Sequence, residues 1–245
     1  MIDAVDIVGY GRLGQALHRL FINKGIKVRC IYSHSQTGEG FAARDSWLSD
    51  VDLAPLVFLA IPDDQINPQL SQRSASSSLF IQCSGNSERF VSNSFSTAVW
   101  YPLQSFSLGR TPDWNALPIL IESPSPDLVK WSQDLGLNVR PIDGKQRRAL
   151  HLAAVWANNF GQTVIGMAAE ICRSHEVDPD LLKPLLDETL SKALALPAKE
   201  AQTGPARRGD QKTLQDHIEL MKEDHSVQEL YQNLSQFIIE RYGKV

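Results

Sequence analysis

The sequence predicts an α/β domain on a mostly parallel sheet, followed by an all-α domain. Three observations carry that prediction. Over residues 1–144, short apolar runs alternate with helical patterns, the arrangement of βαβ units. The runs are continuously apolar, as in strands buried on both faces of a parallel sheet. After Gly144 the strand patterns stop and only helical spacing remains. The domains expected are therefore 1–144 and 145–245.

Each element has its own signal. "AVDIVG" reads as the first strand, and "GQALHRLFINKG" as a helix closing at Gly25. "IKVRCIYS" is the second strand, "APLVFLAIP" the third with Pro62 as its stop, and "SLFIQCSG" the fourth. "ALPILIE" and "LNVRPI" follow, separated by the helix "SPSPDLVKWSQDLG", which ends at Gly136. In the second domain, "KQRRALHLAAVWANNFGQTVIGMAAEICRSHEV" is one long helical stretch. Asp178 is the expected N-cap of the next helix, with Pro179 at its first position. Pro184 kinks or restarts that helix. Asp210 caps another helix after the polar break "AQTGPARRGD". Ser226 and Glu229 have capping-box spacing for the last one. Its apolar stripe is Val227, Leu230, Tyr231, Leu234, Phe237 and Ile238.

Composition excludes several classes. The chain of 245 residues is 42% hydrophobic and 21% charged, ordinary for a globular protein. Its net charge of -4 argues against nucleic acid or an anionic membrane as the main partner. Cys30, Cys83 and Cys172 are far apart and lack Cys-x-x-Cys spacing, so neither a disulfide framework nor a metal site is expected. No apolar run approaches the roughly 18 residues of a membrane span, and no signal-peptide pattern opens the chain; a cytoplasmic location is expected.

"IVGYGRLGQAL" is the first motif with chemistry. Gly9, Gly11 and Gly14 have G-x-G-x-x-G spacing, follow an apolar strand and open a helix. In a dinucleotide-binding turn the first glycine permits the tight turn, the second lets the pyrophosphate approach, and the third lets helix and strand pack closely. The helix N-terminus supplies N–H groups and a positive dipole end. The whole turn is a candidate cofactor contact, Tyr10, Arg12 and Leu13 included. The bland alternative is a tight strand–helix turn without a ligand.

The second strand ends "IYSHSQ", with no Asp or Glu to hold a ribose 2′-hydroxyl. Ser33, His34 and Ser35 can donate hydrogen bonds to a 2′-phosphate, and Arg12 can add a cation. NADP (NADPH) is favoured over NAD. Ala60, Ile61, Pro62 and Asp63, after the third strand, would line the cofactor path. Ser84 and Gly85, after the fourth, would lie near the nicotinamide. Cys83 reads as a buried strand residue, not a nucleophile.

Three further stretches carry a resemblance: "WYPLQSF" (100–106), "LHLAAVWANNF" (150–160) and "TGPARRGDQKTLQDH" (203–217). With the glycine turn they resemble a family of Rossmann-type NADP oxidoreductases whose helical C-terminal domain has no assigned function. That family is similar to pyrroline-5-carboxylate reductase and, more distantly, to 6-phosphogluconate and 3-hydroxyisobutyrate dehydrogenases. The resemblance implies a Rossmann domain, an all-α domain of the 6-phosphogluconate dehydrogenase C-terminal-like type, and a homodimer through the helical domain. It implies no particular substrate. Family members usually carry His where this chain has Tyr101, immediately before the Pro-Leu-Gln segment that contains Gln104.

His151 is the first candidate proton donor. At about 100° per residue Asn158 falls within about 20° of it, as does Gln162, whereas Asn159 falls about 80° away. The resemblance nevertheless points to Asn159 of the Asn-Phe pair. Tyr101 is the other catalytic candidate. Gln104, Arg207 and Arg208 are candidates for holding a substrate, the arginines through a carboxylate or phosphate. His217 shares a helix side with Leu214, Ile218 and Met221 and reads as a packing residue. Two functions from different classes compete. One is an NADP-dependent oxidoreductase acting on a C=O or C=N bond of a small anionic metabolite. The other is a catalytically inactive dinucleotide-binding or regulatory protein. A methyltransferase is disfavoured by the missing acidic residue.

Overall fold

The structure, a computed structural model, describes residues 2–34, 36–49 and 52–243. Eight strands form one sheet in the order β3-β2-β1-β4-β5-β6-β7-β8. They are β1 (Ala4–Val8), β2 (Lys27–Ser33), β3 (Phe41–Ala43), β4 (Leu56–Leu59), β5 (Leu79–Gln82), β6 (Ser96–Pro102), β7 (Pro118–Glu122) and β8 (Asn138–Pro141). Neighbours pair in parallel except β6 and β7. The first six strands therefore have the doubly wound order 3-2-1-4-5-6, and the strand direction reverses only at the β7–β8 edge. The mostly parallel α/β domain expected from the sequence is present. Two of its strands were not expected: β3, of three residues, and β6, which underlies the "WYPLQSF" segment.

Continuous apolar runs make sense because central strands such as β1 and β4 each feed two cores. Val5, Ile7 and Phe58 face one cluster, with Leu17 and Phe21 of α1 (Arg12–Asn23) and Trp131 of α3 (Pro126–Asp134). Val8, Val57 and Leu59 face the other, with Ile66 and Leu70 of α2 (Asp63–Leu70) and Trp47 of the 3-10 helix Arg44–Leu48. Polar groups inside are matched: Trp100 Nε1 donates to Ser132 Oγ at 3.0 Å. Asp6 is fully buried and accepts from the Cys30 and Ala54 amides at 3.0 and 2.7 Å. The Cys30 contact lies where β2 takes up an extra residue opposite β1, since Val5 pairs with Val28 but Asp6 with Cys30. One carboxylate thus satisfies amides that the bulge and the start of β4 would leave unpaired.

By internal packing the chain divides into two units, Met1–Asn159 and Phe160–Val245. The first includes α4 (Gly144–Ala154), capped by a reciprocal box between Asp143 and Gln146. The second is all helical: α5 (Gly161–Ser174), α6 (Lys183–Ala195), α7 (Ala198–Ala201), α8 (Pro205–Arg208), α9 (Gln211–Leu220) and α10 (His225–Tyr242). Asp178 and Asp210 cap as expected, and α6 restarts at Lys183 with Pro184 in its first turn. The expected Ser226 cap is corrected to Asp224. Its carboxylate takes the amides of Ser226 and Val227 and also the Ser226 hydroxyl at 2.7 Å, leaving that hydroxyl no capping role. Among the described residues no helix is long and apolar enough to cross a membrane.

Candidate active site

The glycine turn joins β1 to α1. Gly9 has φ +96°, a backbone that side chains rarely adopt. A Cβ on Gly9 would strike the Ala60 carbonyl, and one on Gly14 would strike the Gly9 carbonyl. A Cβ on Gly11 would meet nothing within 4 Å. The protein's own packing therefore demands the first and third glycines but not the second. That is the pattern expected if an external group runs past Gly11. Here α1 starts with no side-chain cap and no acidic residue in its first turn, so its amides and dipole suit an anion.

Around the turn, Arg12 is exposed, while Leu13 packs against the first core cluster. Tyr10 is half-buried, with its hydroxyl 2.9 Å from His18 Nδ1 and its ring edge-on to Phe41. Burial first, then the neighbouring Arg19, lowers the His18 pKa below its ordinary value. The lowered pKa favours a neutral His18 ring beside the Tyr10 hydroxyl.

At the end of β2, Ser33 is buried and His34 exposed; Ser35 lies outside the described residues. With Gln36, Thr37, Phe41 and Arg44, Ser33 and His34 line a cavity of about 270 Å³. Sequence reasoning did not single out Arg44. It follows a strand too short to leave a pattern.

After β4 come Ala60, buried Ile61 and exposed Pro62, which precedes α2. Asp63, the first residue of α2, accepts the Ser84 hydroxyl proton at 2.7 Å. Ser84 Oγ in turn accepts the Asn86 and Ser87 amides, at 3.2 and 2.8 Å, and so folds the loop after β5 into a tight turn. Gly85 lies at its centre. A Cβ there would strike His151 Nδ1 and come within 2.8 Å of Tyr101 Cζ.

Tyr101, on β6, and His151, on α4, close over that glycine. The Tyr101 hydroxyl lies 3.2 Å from His151 Nδ1, with the rings at 72°. Burial first, then the Asp63 charge, pushes the Tyr101 phenol above its usual pKa, while Arg147 opposes the shift. The phenol keeps its proton at neutral pH. Burial also raises the Cys83 thiol far above its ordinary value, with Asp63 adding to the effect, in keeping with an inert strand residue.

Arg147 sits one helical turn before His151 and is fully buried. Its Nη1 donates to the Ser84 and Gly85 carbonyls at 3.0 and 2.8 Å. Its Nη2 donates to the Ser87 carbonyl at 2.7 Å and to Glu122 Oε2 at 3.1 Å. This arginine holds the 84–87 loop against α4, and Glu122 offsets its charge. Nothing local in "KQRRALH" marks Arg147, because its partners come from distant parts of the chain.

Past α4 the chain makes a π-helical turn, Val155–Phe160. The 100° count that places Asn158 in line with His151 assumes an uninterrupted α-helix. An i→i+5 turn takes up one extra residue, so the count beyond it shifts by one position toward Asn159. Asn158 Nδ2 donates to Asn159 Oδ1 at 3.3 Å, and Asn159 is the more exposed of the two. Gln104 is exposed, and its Oε1 accepts the Ser105 amide.

Arg207 and Arg208 belong to the second unit. Arg207 donates to the Gln202 carbonyl, and Arg208 lies 4.0 Å from Asp210 Oδ2. His217 pairs with the Tyr231 hydroxyl at 2.7 Å, in keeping with a packing role.

Residues 118–238 match a family model described as a domain of unknown function, DUF2520. Among curated proteins, none matches the chain in sequence. Among solved structures the chain is similar to a "putative NADP oxidoreductase" from Bacteroides fragilis, with TM-score 0.84 and 28% identity over 98% of both chains. Its fold is also similar to a reductive aminase from Aspergillus terreus, in complex with NADPH4, cyclohexanone and allyl amine. There the TM-score is 0.72 and the identity 17%, over 99% of this chain and 96% of that one. A pyrroline carboxylate reductase from Plasmodium falciparum with NADP bound gives TM-score 0.55 and 14% identity, over 98% and 97%. Residues 118–238 are thus similar to DUF2520, and the chain as a whole has a Rossmann-type fold followed by helices. The resemblance read from the sequence therefore holds. The DUF2520 region starts in β7 and takes in Glu122, Arg147 and His151; the glycine turn and Tyr101 lie outside it.

Proposed function

We propose that the chain is an NADP-dependent oxidoreductase that reduces a C=O or C=N bond of a small, anionic metabolite. The observation that carries this reading is the Tyr101–His151 pair closed over Gly85, on the strand edge that also holds the glycine turn. The residues fit the cofactor: Gly11 leaves room beside the capless start of α1, and no acidic residue ends β2. The similar solved structures named with NADP support the same choice. When bound, NADPH supplies a hydride. The glycine turn and the α1 amides would hold the pyrophosphate, with Arg12 beside them. The 84–87 loop, with Ser84 and Gly85 buried and held by Arg147, would give the nicotinamide a fixed wall. Tyr101 holds a proton at its phenol oxygen, and His151 Nδ1 is placed to exchange one with it. Together they can protonate the substrate oxygen or nitrogen as charge develops there.

Asn159, brought toward the His151 row by the extra residue of the π turn, is the substrate-orienting asparagine in this reading. The second unit leaves Leu181, Leu185 and Leu194 exposed at 71%, 62% and 81%, which supports a homodimer through that unit. Sedimentation at two protein concentrations tests the dimer.

Calorimetric titration with NADPH, NADH and S-adenosylmethionine tests the cofactor; if none binds, the oxidoreductase reading fails. A metabolite screen that follows nicotinamide absorbance then tests turnover. His151→Ala is expected to lower turnover by about 10²- to 10⁴-fold and to spare NADPH binding. Unchanged turnover would remove His151 from its role. NADPH binding with a silent screen would favour the catalytically inactive alternative, for which the exchange of the family's His for Tyr101 speaks.

A further inference from the structure

The first turn of α2 carries two carboxylates, Asp63 and Asp64. Acidic residues there ordinarily serve their own helix, through its free amides and its dipole. Exposed Asp64 is free to do so. Asp63 instead reaches across to the end of β5, where its Oδ2 takes the Ser84 hydroxyl proton at 2.7 Å. That bond decides how Ser84 is used. A hydroxyl has one proton to donate and two lone pairs. With the proton on Asp63, Ser84 Oγ is left to accept the Asn86 and Ser87 amides at 3.2 and 2.8 Å. Ser87 Oγ, 3.0 Å away, is the competing acceptor for that proton. The turn so formed is gripped from two sides. Arg147 holds its carbonyls from α4, and Asp63 holds its hydroxyl from α2. Between them Gly85 leaves no room for a side chain against Tyr101 and His151. A shift of the turn therefore moves the surface on which that pair closes.

We propose that Asp63 is a positioning residue for the Tyr101–His151 pair, acting through the Ser84 hydroxyl to set the 84–87 turn. The proposal rests on the oxidoreductase reading above for the use to which the proton is put. The contact itself stands without it. Asp63 then belongs to the reaction centre, not to the cofactor path where the sequence places it. Its charge adds a second effect. The groups acting on the Tyr101 phenol are Asp63 from α2 and Arg147 and His151 from α4. Glu122 of β7 is bonded to Arg147, and the Cys83 thiol at the end of β5 stays protonated, itself raised by burial and by Asp63. Asp63 opposes loss of the phenol proton, and Arg147 favours it. Without the Asp63 charge the phenol ionises at lower pH.

NMR of the full chain, labelled at the tyrosine Cζ, tests this without any ligand; Tyr101→Phe identifies the Tyr101 signal. Asp63→Asn keeps an acceptor for the Ser84 proton and removes the charge. Its Tyr101 titration midpoint should fall below that of the wild type, with the Gly85 amide and His151 ring signals little changed. Asp63→Ala removes acceptor and charge together and should move those two signals as well. NADPH affinity, by calorimetry, should change less than about two-fold in Asp63→Asn. With a metabolite found in the screen, Asp63→Ala should lower kcat about ten-fold with little change in KM. The alkaline limb of the Asp63→Asn rate profile should move to lower pH. Melting temperatures near that of the wild type show that the variants fold; if Asp63→Ala does not, Asp63→Asn decides alone. A Tyr101 midpoint that stays or rises in Asp63→Asn overturns the proposal. So do unmoved Gly85 and His151 signals, or an unchanged kcat, in a folded Asp63→Ala. A ten-fold loss of NADPH affinity in Asp63→Asn assigns the carboxylate to the cofactor and overturns it too. If the wild type binds neither NADPH nor NADH, the oxidoreductase reading falls by itself. The Tyr101, Gly85 and His151 signals then still decide whether Asp63 holds the turn.

Discussion

Two regions of one strand edge invite comparison: the closed loop around Gly85 and the open cavity after β2. Both follow parallel strands, and both use an arginine as their main charge. At the closed end Arg147 is fully buried and spends its hydrogen bonds on three loop carbonyls and Glu122. At the open end the Arg44 side chain is 18% exposed and bonds to two side chains, one of them a surface carboxylate. A charge committed to the backbone fixes geometry. A charge committed to exposed side chains can be exchanged for a ligand's. The first arrangement suits a reaction centre and the second suits recognition.

The largest expected effect comes from breaking the closed end. Arg147→Ala leaves Glu122 without its nearest cation and three carbonyls without donors. Removing one partner of a buried ion pair costs about 3–5 kcal/mol, so a large fall in melting temperature is expected. Arg147→Met, which fills the space, should recover part of it. If calorimetric melting shows Arg147→Ala within about 1 kcal/mol of the wild type, the closed end is no more rigid than the open one and the contrast disappears.

Gly85→Ala comes next. A methyl group there meets His151 Nδ1 and Tyr101, and overpacking of this kind costs about 1–3 kcal/mol. Its specific signature is separation of the Tyr101–His151 pair. That should appear in NMR as a changed His151 ring shift, even where the melting temperature falls only modestly. An unchanged His151 signal would show that the pair does not depend on the close approach at Gly85.

The two ends also differ in how far the sequence reveals them. The glycine turn was legible because its signal is local: three glycines, a strand before and a helix after. The missing acid at the end of β2 was legible for the same reason. Arg147 was not, since its partners lie 25 to 63 residues away and no spacing rule links them. Arg44 was hidden by β3, whose three residues leave no period to detect. β6 was hidden differently: "STAVWYP" starts with two hydroxyl residues and ends in proline. The π turn is one extra residue in an otherwise regular helix, enough to shift the asparagine count and too little to alter the apolar pattern.

The Tyr10–His18 pair lies between the two ends and sharpens the comparison through pH. Because the His18 pKa is lowered in the folded chain, the unfolded chain takes up the proton first. The contribution of neutral His18 is therefore present above its ordinary value of about 6.5 and is lost as the pH falls below it. Wild type should lose more melting temperature between pH 7 and pH 5 than His18→Gln. Parallel curves would mean that burial of His18 does not hold its pKa below the ordinary value.

The smallest effect has the opposite sign and separates the two ends most finely. The Asp45 carboxylate bonds the Arg44 guanidinium at 3.1 Å and is 57% exposed. A pair this open contributes about 0–1 kcal/mol, so its loss should hardly change stability. Yet Asp45 would compete with the 2′-phosphate of the proposed NADPH for the same guanidinium and repel its charge. Asp45→Asn keeps the shape and removes the charge. It is expected to tighten NADPH about two- to five-fold, less than the tenfold that 1.4 kcal/mol represents, and to leave NADH unchanged. The gain should shrink as salt is raised, because the Asp45 charge faces water. If Asp45→Asn weakens NADPH instead, Asp45 orients Arg44 as Glu122 holds Arg147, and the open end is built on the same plan as the closed end.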